Sequence, residues 1–152
     1  YARSEGSGRF GTPSDSFAGR PLLMPIIQHN TLPLEVLPRG RRRILASHDL
    51  GATATCVFEQ WLPAEGYIPL HYHDVEEVVV IIRGELEVTL GDNKQLAAAA
   101  TTLVIPAGAV HGMRPAPDSC EIYLLAVFPS VEPNMFLPNG SPYTEWQSAE
   151  VT

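Results

Sequence analysis

From Ile44 to Phe128 the chain is cut into short runs rich in Val, Ile, Thr and aromatic residues, broken by Gly, Pro and Asp about every ten residues. That rhythm leaves no room for a helix of ordinary length and points to an antiparallel all-β domain. The runs that read as strands are 43–46, 53–62, 68–73, 76–83, 86–90, 94–98, 102–105, 110–114 and 122–128. In one of them Leu86, Val88 and Leu90 alternate with Glu87 and Thr89, which gives one dry face and one wet face. Its neighbour, Val78 to Ile82, is apolar at every position and is expected to be covered on both faces, by the barrel interior on one side and by another sheet or subunit on the other. A homodimer is the expected use of that strand.

Either side of this region the pattern changes. Residues 1–40 carry Pro13, Pro21, Pro25, Pro33 and Pro38, and proline denies a donor to helix interior and sheet ladder alike, so an irregular N-terminal arm is expected there. Residues 41–130 are expected to form the β domain, and 131–152 a tail whose Phe136, Tyr143 and Trp146 pin it onto that domain. Arg39, Arg41, Arg42 and Arg43 make one basic cluster, read as a solvated strand entrance rather than an anion site. With 17 acidic against 10 basic side chains the formal charge is −7, which repels phosphate backbones and argues against a nucleic-acid partner. No apolar run approaches the roughly 20 residues of a membrane span, so no membrane partner is expected. Cys56 and Cys120 read as buried, reduced thiols, and no charged-then-apolar leader pattern follows Tyr1, so the expected location is cytoplasmic.

The chemistry concentrates in the histidines. His71 and His73 are one residue apart, so on a strand both side chains leave the same face roughly 6–7 Å apart, within reach of one metal ion. Glu77 follows the turn-like Asp74-Val75-Glu76 and supplies a carboxylate on re-entry into the next strand. Farther along, the turn Pro106-Ala107-Gly108-Ala109-Val110 swings His111 back toward the same interior as a fourth donor. His29 and His48 belong to no such pattern and read as surface or satisfied core histidines. A chain of 152 residues buries enough surface to fold without a structural ion, so any metal here is functional first.

At this point a resemblance becomes specific. Gly66, four residues, His71-Tyr72-His73, three residues, Glu77, six residues, Gly84 resembles the first motif of the cupin superfamily, and Pro106 to His111 resembles the second. The match covers about fifty residues, Gly66 to Arg114. Ala100 stands where the second motif usually opens with Gly, and Pro115 where it often closes with Asn. The resemblance implies a small double-stranded β-helix, the cupin or jelly-roll barrel, with His71, His73, Glu77 and His111 as metal ligands near its open mouth.

Three imidazoles and one carboxylate suit one divalent transition metal ion, iron first, with manganese, nickel and zinc as alternatives. With a six-coordinate ion two positions stay open for a chelating small-molecule substrate, or for one substrate atom and dioxygen. The expected function is therefore a metal-dependent, dioxygenase-like oxidoreductase acting on a small, oxygenated, partly apolar molecule. Two other readings stand beside it, a metal-dependent isomerase or lyase and a non-catalytic ligand-binding or sensing cupin. Glu77 is the candidate base as well as a ligand. Strand parity nominates Val79, Ile81 and Met113 for the substrate pocket, with Tyr67, Trp61 and Tyr123 beside them.

Overall fold

Two antiparallel sheets lie face to face in the computed structural model, which describes residues 24–144 and 150–151. The strands are β1 (Glu35–Leu37), β2 (Gly40–Ala46), β3 (Cys56–Leu62), β4 (Ile68–His73), β5 (Glu77–Arg83), β6 (Glu85–Leu90), β7 (Asn93–Ala98), β8 (Thr101–Ile105), β9 (His111–Pro115), β10 (Ile122–Phe128), β11 (Met135–Phe136) and β12 (Glu150–Val151). One sheet has seven strands in the order β12-β1-β2-β3-β10-β5-β8, and the other has five in the order β11-β4-β9-β6-β7. This is the expected jelly-roll β-barrel. No helix among the described residues is long and apolar enough to cross a membrane.

The period of two builds the core. In β10, Ile122, Leu124, Ala126 and Phe128 point inward and are buried while Tyr123, Leu125 and Val127 point outward and are half-exposed. Leu62 of β3, Val79 and Ile81 of β5, Leu86 and Val88 of β6 and Met113 of β9 complete the apolar interior. Each fully buried aliphatic side chain stabilises the fold by about 1.5–3 kcal/mol, which is why this pattern outweighs the helix-friendly Ala97-Ala98-Ala99-Ala100 tract. That tract ends β7 and turns into β8, with Ala100 in the left-handed region at φ 65°.

Several expectations need correction. β5 is not covered on both faces in the single chain. Glu77, Val79 and Ile81 are buried, but Val78 and Val80 are half-exposed and Ile82 is exposed. Cross-strand pairing continues this outer face as the row Val57, Val127, Val78 and Val104. The arm is not wholly irregular either, because Pro33 and Pro38 bracket β1 rather than forbid it, and β2 starts at Gly40 instead of residue 43. Both prolines lie outside the strand's own residues, so neither removes a ladder donor from it. Cys120 is exposed, since it follows the turn Pro117-Asp118-Ser119 instead of lying within a strand, whereas Cys56 is buried, and both are free thiols.

The basic cluster lies on β2 and just before it, and it is matched by partners. Arg41 pairs with Glu121, Arg42 with Glu35 and Arg43 with Glu59, while Arg39 caps the Tyr67 ring. In the tail, Phe136 stacks on Tyr72 with ring centroids 5.2 Å apart, and the Tyr143 hydroxyl accepts a hydrogen bond from Arg39 at 3.3 Å. Trp146 lies outside the described residues.

Candidate metal centre

Two neighbouring strands and one from the opposite sheet bring the four expected side chains together. His71 of β4 sits directly across from His111, the first residue of β9, and their ring centroids are 4.2 Å apart. His73 shares the face of His71 by strand alternation, and its ring meets that of His71 edge-on at 4.9 Å. Glu77 opens β5 in the seven-stranded sheet and reaches across. All four are buried, and one donor atom from each lies within 4.8 Å of the others.

Hydrogen bonding fixes which atom each ring turns inward. Nδ1 of His71 donates to the Pro69 carbonyl at 2.8 Å, Nδ1 of His111 to the Ala109 carbonyl at 2.8 Å, and Nδ1 of His73 to the Asn134 carbonyl at 2.7 Å. A backbone carbonyl only accepts, so each Nδ1 carries the ring proton and each Nε2 is left to point at the others. The Nε2 atoms of His71 and His73 then face each other at 3.1 Å. Burial, foremost, and the neighbouring His111 and His73 push the His71 pKa down to about 3, and burial likewise holds His73 below its usual value against the opposing pull of Glu77. Both rings are therefore neutral at pH 7, and two lone pairs confront one another with no proton between them.

Glu77 tightens the same point, with Oε2 lying 2.9 Å from Nε2 of His111 and 3.7 Å from Nε2 of His73. Three ring nitrogens and one carboxylate converging in a buried space are the ligand chemistry of a divalent first-row ion, and these residues fit one. The turn expected before His111 is tied to the same place, because the Gly108 N–H donates to the His73 carbonyl at 2.8 Å.

A cavity of about 380 Å³ opens on His71, His73 and Glu77. Its walls are Phe58 of β3, Phe128 of β10, Arg42 of β2 and, from the tail, Asn134, Met135, Phe136, Pro142, Tyr143 and Thr144. Phe128 also packs against the His73 ring at 4.7 Å. None of the six residues nominated by parity lines this cavity. Val79, Ile81 and Met113 are packed in the apolar core. Trp61 stacks on Tyr123 at 5.2 Å, both at outward positions of the seven-stranded sheet, and Tyr67 is exposed beneath Arg39. Tyr67 and Met113 instead border a larger open groove of about 570 Å³ that touches none of the four clustered residues. Counting along a strand from Glu77 leads down into the core, whereas the cavity is roofed by the tail. Phe58 and Phe128 occupy core-facing positions of β3 and β10, and Phe136 and Tyr143 of the tail line the cavity as well as packing on the barrel. His29 and His48 are exposed and stand apart from the cluster.

Residues 57–128 match the family described as Cupin domain. Over that segment, which carries all four clustered donors, the chain matches the cupin superfamily. Solved structures share the cupin fold. The polyketide cyclase RemF from Streptomyces resistomycificus is 21% identical, with 73% of this chain and 82% of that chain covered and a TM-score of 0.64. An oxalate decarboxylase from Lactobacillus farciminis is 21% identical over 72% of this chain and 34% of its own, with a TM-score of 0.65. The DMSP lyase DddQ from Ruegeria pomeroyi is 21% identical over 69% of this chain and 54% of its own, with a TM-score of 0.58. The chain thus spans well under two thirds of the decarboxylase and of the lyase, and at these identities the likeness is one of fold. No curated protein matches the sequence.

Proposed function

We propose that this cupin is a metal-dependent enzyme of dioxygenase type acting on a small, oxygenated, partly apolar molecule bound at the His71, His73, Glu77 and His111 centre, with iron as the working ion. The observation that carries the reading is the 3.1 Å confrontation of the His71 and His73 Nε2 atoms, whose protons are committed to carbonyls on the far side of each ring. A bound divalent ion supplies Lewis acidity toward an enolate, catecholate or hydroxy-acid oxygen and, as iron, electrons for dioxygen.

The chain's own residues handle the rest of the substrate. Phe58, Phe128, Phe136 and Tyr143 give the cavity aromatic walls that favour a planar apolar body and exclude water. Arg42, its guanidinium 5.5 Å from the Phe58 ring centre and paired with Glu35, closes one polar edge of the wall. Glu77 is the carboxylate on the cavity floor, placed to take a proton from an enol or hydroxyl.

The test is protein loaded with iron under anaerobic conditions, offered a panel of catechols, enolic diketones and 2-hydroxy acids, then exposed to air. Oxygen uptake coupled to product formation is expected with iron and absent with zinc. A second reading, isomerase, lyase or cyclase chemistry, is favoured by the cyclase, decarboxylase and lyase among the structural neighbours. Conversion that proceeds without oxygen, or equally well with zinc, replaces the first reading by the second. A protein that holds its ion and changes no compound is a binding module.

The row of half-exposed Val57, Val127 and Val78 and exposed Val104 on the outer face of β3, β10, β5 and β8 further supports the homodimer. Sedimentation showing a monomer at micromolar concentration removes that part. Two free thiols fit a reducing, cytoplasmic setting.

A further inference from the structure

The three histidines are oriented by different means. His71 and His111 donate from Nδ1 to carbonyls two residues back in their own segments, so the local backbone fixes those contacts. His73 has no such local partner. Its acceptor is the carbonyl of Asn134, 61 residues farther along the chain, in the tail. A carbonyl borrowed from so far away stays at 2.7 Å only if something ties the tail down at that residue.

The tie is Asp74. Its Oδ1 accepts the backbone N–H of Asn134 at 3.2 Å and its Oδ2 accepts the side-chain amide of the same residue at 2.6 Å. Two points of attachment fix the orientation of Asn134, and the adjacent pairing of Met135 with His73 sets its height on the strand. Asp74 is exposed and is not one of the four clustered donors. Its charge is the smallest of the influences that act on the His73 ring, so geometry is its main contribution.

We propose that Asp74 is a positioning residue for His73, acting through the Asn134 carbonyl to keep the ring proton on Nδ1 and the lone pair of Nε2 aimed into the centre. The proposal rests on the reading that the four side chains hold an ion. It assigns a role to a residue outside that set. When the carbonyl drifts away, the neutral ring is free to carry its proton on Nε2, the atom that must bind.

Long-range 1H–15N correlation spectra of the metal-free protein read the tautomer of each histidine, and competition titration with cobalt(II) reads affinity. In the wild type all three rings are expected as the Nδ1–H form. In Asp74→Ala, His73 becomes a mixture of tautomers while His71 and His111 stay unchanged, and cobalt(II) affinity falls roughly tenfold or more. Asp74→Asn, which keeps one acceptor oxygen, loses less. Asn134→Ala, which keeps the carbonyl but removes one of the two ties, shifts His73 in the same direction by a smaller amount and stands in if Asp74→Ala does not fold. Asp92→Ala, an exposed carboxylate in the turn before β7, changes nothing. A His73 ring that stays wholly Nδ1–H in Asp74→Ala, with affinity unchanged, overturns the proposal. If the wild type binds no divalent ion, the metal-centre reading falls, and the tautomer comparison still decides the role of Asp74.

Discussion

Two buried polar groups in this barrel are built on opposite principles. On the outer side of the seven-stranded sheet, Glu59 receives Arg43 on one carboxylate oxygen at 2.8 Å and the Tyr123 hydroxyl on the other at 2.7 Å. Donors meet both Glu59 oxygens there, with the Trp61 ring stacked alongside Tyr123, although the buried Arg43 Nε has no hydrogen-bond partner among the described residues. Between the sheets the situation is reversed. His71, His73 and His111 have spent their protons on carbonyls behind them, so that nitrogen lone pairs and the Glu77 carboxylate crowd into one space. A carboxylate met by donors on both oxygens holds a fold together, and a cluster whose ring nitrogens and carboxylate turn toward one another is a place for a cation.

The sharpest way to break that contrast is to remove one partner from each. His73→Ala is expected to lose most of the bound metal, measured by elemental analysis after metal loading, while His48→Ala keeps all of it. Equal metal content in the two variants erases the distinction. Glu59→Ala is expected to do the opposite, keeping the metal but lowering the free energy of unfolding by about 2–3 kcal/mol in urea titrations, because Arg43 and Tyr123 lose their acceptor. The half-solvated Arg43 keeps the figure below that of a fully buried pair.

A smaller effect sharpens the outer group. Tyr123→Phe should cost about 1 kcal/mol at neutral pH. The hydrogen bond to Glu59, then burial and the Glu59 charge, raise the Tyr123 pKa above its ordinary value of 10.0. A raised pKa means the folded state holds the phenol proton more tightly than the unfolded chain does. The stabilisation is therefore complete below pH 10 and fades as pH climbs through the folded-state value, so the gap between wild type and Tyr123→Phe should narrow at high pH. A gap that is constant across that range would show that the hydrogen bond is not its source.

The smallest expected change lies away from both groups. Ala100 occupies a left-handed turn at φ 65°, where a Cβ is unfavourable and the resembling motif usually has glycine. Ala100→Gly should raise stability by about 0.5–1 kcal/mol, read as a slightly higher Tm, with metal content untouched.

These comparisons also show what the amino-acid order made visible. Alternation along Leu86, Val88 and Leu90 and the His71-Tyr72-His73 spacing were legible because side chains on a strand repeat every second residue, a rule that acts locally. The third acceptor was not legible, since Asn134 serves through its backbone carbonyl, and every residue has one. The cavity walls escaped for a related reason. Nothing in its own strand separates Phe128 from Ile122, and only the return of the tail turns one into a wall and leaves the other in the core. Cys120 sits between the Pro117-Asp118-Ser119 turn and the apolar run of β10, and the turn, a local feature, decides its exposure.

Three of the clustered donors belong to one layer and Glu77 to the other. Whatever joins the four also rivets the sandwich. A slip of the layers by a single residue, about 3.3 Å, would carry the carboxylate out of range, so the alignment of the two halves is itself part of the binding site.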